Sequence, residues 1–526
     1  MKLINKKTIS MLFAIMFMVG CQSDFLDRPS QSDISTENFY QTKEEIRLAT
    51  AALYGGVSWW EWNTTPYILI GDILSGNLVK NYYPAAEQLN TFTLSGSNDI
   101  LGSAWKGLYI VVAHCNMTIK AIEENAPETV SDADKNAAIG EAKFIRAMAY
   151  YHLAMLFGDV PIIEDNTLLV KSPLVNRNIV ADVYQFVVND LTFAAENLPT
   201  SDEPGRVTTW SAQGLLAKVY LTKAGLGQNG GVRNQDDLNN AKLYAGNVCK
   251  NSGISLFPSY YDLFLTQNND NPESLFALQW SATDGWGLGN QLLTYSPSND
   301  INPQNNGAWS ALSVSYDLYQ LYTEQDFIRR KATFMLTGDH YPELNRAGGG
   351  YDATGTVMKK HIIGNGDDNN VPAMTYLGSI EHNALLRLAD VYLVYAESIL
   401  GNNASTSDAE ALMYFNMVRE RAGVDPVSVL DADTIFNERR IELACEGHYW
   451  YDLVRLSYYN PQKAISILNN QERVQFTYDD ATGVATPNNP IGTISPATQA
   501  TFTLQLPSSE VTANPKLADP AVPYYQ

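Results

Sequence analysis

Apolar residues recur at helical spacing over most of the chain, and this pattern predicts a mainly α-helical fold. In the first half, apolar positions three and four residues apart mark segments 36–55, 101–124, 134–157, 180–197 and 209–224. Gly158 and Pro161 follow the third segment as a typical helix stop. Helices therefore dominate the first half.

The clearest helical pattern in the second half covers residues 388–400. Its apolar side chains share one face: Leu388, Val391, Tyr392, Tyr395, Ala396, Ile399 and Leu400. After a polar turn, Ser407 and Glu410 fit a capping box for a second helix that runs to Arg421. The pair spans about 34 residues, the period of a tetratricopeptide unit. Such hairpins bury their faces only against neighbours, so a tetratricopeptide-like helical-repeat scaffold is predicted, with segments 141–156 and 209–249 in the same stack.

Breaker residues interrupt this scaffold. Gly, Asn, Asp, Pro and Ser accumulate at 57–100, at 253–380 and in the C-terminal segment 471–526. Short strands are expected at TFTL from Thr91 and at TFTLQLP from Thr501. We predict one domain, 21–526, with a scaffold of residues 36–56, 101–252 and 381–470 and two loop-rich excursions, 57–100 and 253–380. Binding surfaces usually lie on such excursions.

Composition and charge narrow the class. The chain has 526 residues, of which 45% are apolar and 17% charged, so it can bury a large core. Its formal net charge is −22. Such an acidic surface repels phosphate backbones, which argues against nucleic acid as a partner.

The N-terminus has the pattern of a bacterial lipoprotein signal. A basic start, a short apolar run and Gly20 precede Cys21, and residues 1–20 are predicted to be removed. The Cys21 thiol would then carry the acyl chains that tether the protein to a membrane. An ordinary signal peptide with a coincidental cysteine is the alternative.

The remaining cysteines and histidines indicate no metal site or cofactor. Cys115, Cys249 and Cys445 are isolated and are expected to pack as small buried groups. The histidines are scattered without metal-ligand spacing.

The stretch ERRIELACEGHYWYDLVRL, residues 438–456, is dense in charge. Cys445 with His448 could be a nucleophile and base, and Glu442 with Glu446 a glycosidase pair. Neighbouring arginines would instead keep the acids ionised, and Gly447 interrupts the helix between Cys445 and His448. We therefore predict a structural ion-pair clasp formed by Arg439, Arg440, Glu442, Glu446, Asp452 and Arg455.

The same stretch, extended to residue 437, resembles the C-terminal hallmark of the SusD/RagB family of outer-membrane lipoproteins. Other blocks resemble the family in the same order: CQSDFLDRPS, NFYQTKEEIRLATAALYGGV, WKGLYIVVAHCNMTI, GEAKFIRAMAYYHLAMLFGDVPII, SAQGLLAKVYLTKAG, LLRLADVYLVYAESIL and NMVRERAGV. The resemblance implies a tetratricopeptide-like scaffold without catalytic residues. It also implies a cell-surface position at the outer membrane and a SusC-like TonB-dependent transporter as partner, to which captured oligosaccharide is handed.

The binding residues must be argued from this chain. Sugars offer apolar C–H faces beside hydroxyl groups, which suits exposed aromatic rings next to polar side chains. One candidate cluster holds Trp59, Trp60 and Trp62. Trp286 is the first candidate overall because it lies between glycines. The full predicted set is Trp286, Tyr82, Tyr83, Trp309, Trp280, Asn290 and Asp284. Trp105 and Trp450 are assigned to the core.

Three hypotheses follow from these patterns. The first is a non-catalytic oligosaccharide-binding lipoprotein. The second is a helical-repeat interaction subunit of the transporter that binds no sugar itself, or a binder of peptide or another nutrient. The third is a glycosidase with paired acids such as Asp284 and Asp300.

Overall fold

Helices dominate the computed structural model, as the periodicity predicts. The structure describes residues 39–81, 83–281, 288–295, 301, 311–364, 368, 374–375, 378–490 and 492–525. The longer helices are α1 (Lys43–Ala51), α2 (Gly56–Thr64), α3 (Asp99–Asn125), α4 (Asp132–Phe157), α5 (Val180–Asn197), α6 (Thr209–Lys223), α7 (Gln235–Asn251), α8 (Leu388–Leu400), α9 (Ala409–Arg421), α10 (Ala432–Glu442), α11 (Tyr449–Tyr459) and α12 (Pro461–Asn470). Shorter helical segments cover Pro66–Ile68, Leu69–Leu74, Glu87–Asn90, Thr167–Lys171, Tyr316–Tyr319, Phe327–Thr333 and Ser508–Ala513.

The helices form a sequential stack. From α2 to α9, each helix packs against the next one along the chain. Gly158 ends α4 with a φ of 68°, a conformation that suits glycine, so the predicted stop is confirmed. Helix α8 lies inside the stack and is buried on nearly all sides, whereas the sequence pattern predicted a single buried face. The mainly α, tetratricopeptide-like prediction holds.

One predicted cap is wrong by a residue. The N-cap of α9 is Asp408, whose carboxylate accepts hydrogen bonds from the backbone N–H groups of Glu410 (3.0 Å) and Ala411 (3.1 Å). Ser407 therefore does not form the expected capping box. A carboxylate satisfies two unpaired N–H groups at once and favours the positive end of the helix dipole, which gives Asp408 the advantage.

Short strands pair in five two-stranded antiparallel arrangements within the described residues. They are β1 (Leu78–Lys80) with β3 (Leu312–Val314), β2 (Ser274–Leu278) with β8 (Asn383–Arg387), β4 (His340–Tyr341) with β5 (Tyr351–Asp352), β6 (Met374–Thr375) with β7 (Gly378–Ser379), and β9 (Phe476–Asp479) with β10 (Val484–Pro487). In the first pair Leu78 lies opposite Val314 and Lys80 opposite Leu312. The pairing β2–β8 joins the larger excursion to the start of α8.

The strands expected at Thr91 and Thr501 are not formed. Thr91 follows the short helix Glu87–Asn90, and its hydroxyl donates to the carbonyl oxygen of Glu87 (2.8 Å). Thr501 lies in a helical turn, Gln499–Phe502, where its hydroxyl accepts from the N–H of Thr498 (2.9 Å). Local side-chain-to-backbone hydrogen bonds thus outweigh the β preference of these two threonines.

The excursion at 57–100 is more regular than predicted. Residues 56–74 are almost continuously helical, and Trp59 and Trp62 are fully buried. The i, i+3 spacing places both indoles on one face of α2, which packs against α3. Residues 56–74 thus pack as part of the scaffold, and Trp59 and Trp62 are core residues that cannot contact a ligand.

Two hydrophobic clusters fill the interior. The larger one runs through the helical stack and includes Trp105 and Trp450, as predicted. A smaller one lies inside the second excursion and consists of Ile301, Met335, Tyr341, Leu344, Ala353 and Ile362. Within the described part of the chain, no helix has the length and apolar character needed to cross a bilayer.

Candidate functional site

The charged segment 438–456 forms the end of α10, a tight turn and α11. The turn packs on Asp72, whose carboxylate accepts hydrogen bonds from the N–H groups of Cys445 (3.0 Å) and Gly447 (2.8 Å). These two residues have φ values of 62° and 73°. Gly71 lies so close that a Cβ there would stand 2.3 Å from the Cα of Gly447. The turn is therefore enclosed by the segment Leu69–Leu74.

Arg387, at the end of β8, is the centre of one buried ion-pair network. Its guanidinium donates to Glu446 (2.7 and 2.8 Å), Glu273 (2.6 Å) and Glu442 (3.2 Å). Arg421 donates to Glu273 (2.9 Å) and Glu442 (2.5 Å). None of these five side chains is more than 5% exposed. The charges neutralise one another away from water.

A second network joins α8, α10 and α11. Arg439 donates to Asp390 (2.6 Å) and Asp452 (3.0 Å). Arg455 donates to Glu397 (2.5 Å) and Asp452 (3.3 Å). The residues assigned to the clasp are all buried within such contacts: Arg439, Arg440, Glu442, Glu446, Asp452 and Arg455.

Two buried carboxylates of these networks, Glu446 and Glu397, are held in their charged form. Burial alone would raise the pKa of Glu446, but Arg387 and Lys360 lower it below its ordinary value. Burial likewise opposes ionisation of Glu397, yet Arg455 and Arg233 lower its pKa to about 2. A general acid in glycoside hydrolysis needs a raised pKa. These groups therefore cannot supply that proton.

Cys445 and His448 do not form a nucleophile–base pair. Burial raises the pKa of the Cys445 thiol well above its ordinary value, which keeps it protonated. The His448 Nδ1 atom accepts a hydrogen bond from the Lys218 ammonium (2.9 Å). Burial and Lys218 hold the pKa of His448 well below its ordinary value. The cavity beside Glu446 has a volume of about 30 Å³, far smaller than a sugar ring requires.

Trp280 and Asn290, two predicted sugar contacts, lie in the interior. Trp280 is 5% exposed and its indole N–H donates to Asn383 (2.7 Å). Asn290 is fully buried, and its amide donates to the carbonyl oxygen of Glu381 (2.9 Å). Because protein atoms enclose both side chains, the prediction that they contact sugar is wrong. Their hydrogen bonds give them a structural role.

That role is to fix the point where the second excursion leaves the scaffold, which we call the first excursion base. Asn383 donates to Asn63 (2.8 Å), and Asn63 donates to Asn290 (3.1 Å), so a chain of buried amides connects β8, α2 and the segment that begins at 288. The N–H of Ser281 donates to the carbonyl oxygen of Leu288 (2.9 Å). Asp284 and Trp286 lie between these two residues in the sequence and outside the described residues.

A second attachment point of this kind, the second excursion base, forms around Tyr83. Its half-buried ring meets Tyr295 edge-on at 6.0 Å between ring centroids. The N–H of Asn81 donates to the carbonyl oxygen of Ala311 (2.8 Å), which continues the β1–β3 pairing. The chain on either side of residue 82 therefore lies beside Tyr295 and Ala311. Tyr82 and Trp309 themselves lie outside the described residues, as does Cys21.

The end of α2 contacts both excursion bases. Asn63 contacts Asn290 at the first base, and the Thr65 hydroxyl lies 3.1 Å from the Tyr295 hydroxyl at the second. Sequence reasoning missed Asn63 and Thr65, because their partners are 227 and 230 residues away. Nothing in the local sequence of α2 marks them. The described residues next to the predicted aromatic segments thus contact the same end of α2, at Asn63 and Thr65.

Comparison with known families gives matches over both halves of the chain. A model described as "SusD family" matches residues 330–525, and one described as "Starch-binding associating with outer membrane" matches residues 24–221. A SusD-like protein from Bacteroides ovatus is 38% identical over 99% of this chain and 98% of its own length. SusD-like protein P25 from Formosa agariphila is 27% identical over 84% of this chain and 88% of its own.

The fold is also similar to solved structures. A crystal structure determined with a xylogluco-oligosaccharide superposes with a TM-score of 0.85 and is 38% identical in sequence. The match covers 91% of this chain and 99% of that chain.

Proposed function

The chain belongs to the SusD family, and from this we propose that it is a cell-surface lipoprotein that captures oligosaccharide for a SusC-like TonB-dependent transporter. Members of this family are carbohydrate-binding proteins and not enzymes. The family description also supports association with the outer membrane. The ionised, enclosed carboxylate of Glu446 agrees with a binding role and not with acid–base chemistry.

The observation that carries the proposal is the full-length similarity to a structure solved with a xylogluco-oligosaccharide. We propose the same ligand class for this chain. The binding residues in this proposal are Trp286, Tyr82 and Trp309, with Tyr83 and Asp284 beside them. Aromatic rings on adjoining loops can stack on successive sugar rings, and each stacked ring contributes about 1 kcal/mol beyond its buried area.

Calorimetric titration with a xylogluco-oligosaccharide tests this site. Replacing Trp286, Tyr82 and Trp309 together with alanine should weaken binding at least about a hundredfold, since three stacking contacts are lost. The unfolding temperature should change little. Phe327→Ala removes an aromatic ring that is 53% exposed and is not among the proposed binding residues, so it serves as the matched control. Unchanged affinity in the triple variant would rule out these residues.

The proposed lipid anchor at Cys21 and the proposed transporter partner need separate tests. Cys21→Ser should release the exported protein from the membrane fraction, because the thiol that would carry the acyl chains is gone. The wild-type protein, extracted in mild detergent, should co-purify with a TonB-dependent transporter. A Cys21→Ser protein that stays in the membrane fraction of cells lacking the transporter would refute the lipid anchor, whereas a wild-type protein that purifies alone would refute the transporter complex.

A further inference from the structure

His361 is buried between two hydrogen-bond acceptors. Its Nδ1 atom lies 2.8 Å from a carboxylate oxygen of Glu381, and its Nε2 atom lies 3.0 Å from the carbonyl oxygen of Cys445. The side chain is 3% exposed. A neutral imidazole carries one N–H and can donate to only one of the two. Both contacts are hydrogen bonds only if the pair His361–Glu381 holds an additional proton.

The surrounding charges favour that proton. Burial alone would lower the pKa of His361, but Glu381 and the Cys445 carbonyl raise it above its ordinary value, against a smaller opposing effect of Lys360. Lys360 itself donates to Glu446 (2.8 Å) and to the carbonyl oxygen of Ala444 (2.8 Å). The other charged or titratable groups around the adjoining cavity are Tyr67, Asp270, His382, Arg387 and Glu446.

His361 connects the clasp to the base of an excursion. On one side, its partner Cys445 belongs to the turn that packs on Asp72. On the other, the carbonyl oxygen of Glu381 accepts from the Asn290 side chain (2.9 Å). The backbone of Asn290 also exchanges hydrogen bonds with Ser379 (2.8 and 2.9 Å). Glu381 therefore links His361 directly to Asn290, the residue that fixes the first excursion base.

We propose that protonated His361 is a positioning residue for glycan binding, because it holds Glu381, and through it Asn290, against the clasp. The inference rests on the proposed function. When the proton leaves, one of the two contacts becomes a repulsion between two lone pairs. The base of the excursion, at Asn290, then loses one of its attachments to the scaffold, and affinity for glycan falls.

The direction of the pH effect follows from the geometry. A histidine whose pKa is raised by folding stabilises the folded form fully below its unfolded pKa of about 6.5. That contribution is lost as the pH rises through the folded pKa. Affinity for glycan should accordingly be highest on the acidic side of neutrality and fall on the alkaline side.

The test is the affinity of the full-length chain for a xylogluco-oligosaccharide between about pH 6 and about pH 9, where an ordinary or raised histidine titrates. For the wild type, binding should weaken about threefold to tenfold over this range, since part of one charge-assisted hydrogen bond is lost. His361→Gln should bind more weakly at the acidic end and show a flat profile, because glutamine has no proton to lose.

His340→Gln is the matched control. His340 also pairs with a carboxylate, Asp352 (2.8 Å), but its side chain is 51% exposed and the pair lies on the β4–β5 hairpin. Its profile should equal that of the wild type. A His361→Gln protein that keeps the wild-type pH slope would overturn the proposal, as would a wild type whose affinity is constant. Absence of binding by the wild type at any pH would instead refute the proposed function itself.

Nitrogen-15 NMR of the wild-type imidazoles gives a readout that needs no variant. Both ring nitrogens of His361 should carry protons at about pH 6.5, the ordinary pKa of histidine, because the pKa of His361 is raised above it. A ring that is neutral there, with Glu381 ionised, would overturn the proposal even if His361→Gln failed to fold.

Discussion

Asp72 shows how one side chain determines the shape of the clasp turn. Its carboxylate accepts from two backbone N–H groups of the turn and from the Asn77 side chain (3.0 Å). The left-handed conformation of Cys445 is uncommon for a residue with a side chain and is held by this contact. The absence of a Cβ at Gly71 lets the two backbones approach. At the residue scale, the packing of the turn against Gly71 and Asp72 depends on single atoms.

Gly71→Ala should therefore be severely destabilising. The added Cβ would stand 2.3 Å from the Cα of Gly447, and backbone atoms cannot move aside as a flexible side chain can. We expect a loss of about 3 kcal/mol or more in the free energy of unfolding, measured in urea. Gly102→Ala is the control, because a Cβ added there in α3 would meet no atom within 4 Å and alanine favours helix by about 0.5–1 kcal/mol. Equal stability of the two variants would contradict the close approach.

Glu446→Gln tests the clasp at the same scale. The substitution leaves Arg387 and Lys360 with less negative charge in a buried site, so we expect a loss of about 3–5 kcal/mol in unfolding free energy. Glu410→Gln weakens the exposed pair with Lys250 and should leave the free energy of unfolding nearly unchanged. Chemical denaturation of both proteins measures the difference. A Glu446→Gln protein as stable as Glu410→Gln would show that the clasp does not brace the fold.

At the scale of elements, local patterns and long-range contacts differ in how far the sequence predicts them. The long helices follow from apolar spacing, and α4, α5 and α8 begin or end where that spacing and its stop signals place them. The tryptophans of α2 look like a loop cluster in the sequence, yet their i, i+3 spacing buries two of them. Asn63 and its partner Asn383 are 320 residues apart, and the spacing of apolar residues along the chain cannot predict a contact over that distance.

Asn63→Ala tests the amide chain that joins these elements. Removing the shared amide leaves Asn290 and Asn383 each with a lost partner in the interior, so unfolding free energy should fall by about 1–3 kcal/mol. Affinity for glycan should fall as well, because one excursion base is loosened. Asn189→Ala, at an exposed position that bonds Tyr525, should change neither quantity measurably. Full glycan affinity in Asn63→Ala would separate the amide chain from the binding site.

At the scale of the whole molecule, buried ion pairs set the response to acid. Glu397 has a pKa of about 2, and the pKa values of Asp390 and Glu446 are also lowered, in each case by cationic partners that overcome the effect of burial. Groups with a depressed folded pKa add stability above their unfolded pKa, and this stability is lost as the pH falls through the folded value. The protein should resist mild acid and then unfold steeply.

The corresponding measurement is the unfolding temperature as a function of pH. It should change little down to about pH 5 and fall sharply below about pH 4, where unfolded carboxylates take up protons. Glu397→Gln should lower the plateau and reduce the slope, because it removes one of the responsible groups. A temperature that stays constant down to about pH 3 would contradict the lowered pKa values of Glu397, Asp390 and Glu446.

The central claim is that the charged C-terminal segment braces the fold while glycan binds at the excursions. Hydrogen–deuterium exchange of the full-length protein, with and without a saturating xylogluco-oligosaccharide, tests it most directly. Ligand should add protection in peptides that cover residues 78–83 and 281–311. Peptides of residues 438–456 should be strongly protected in both states and unchanged by ligand. Ligand-induced protection confined to 438–456, with none at the excursions, would contradict the account.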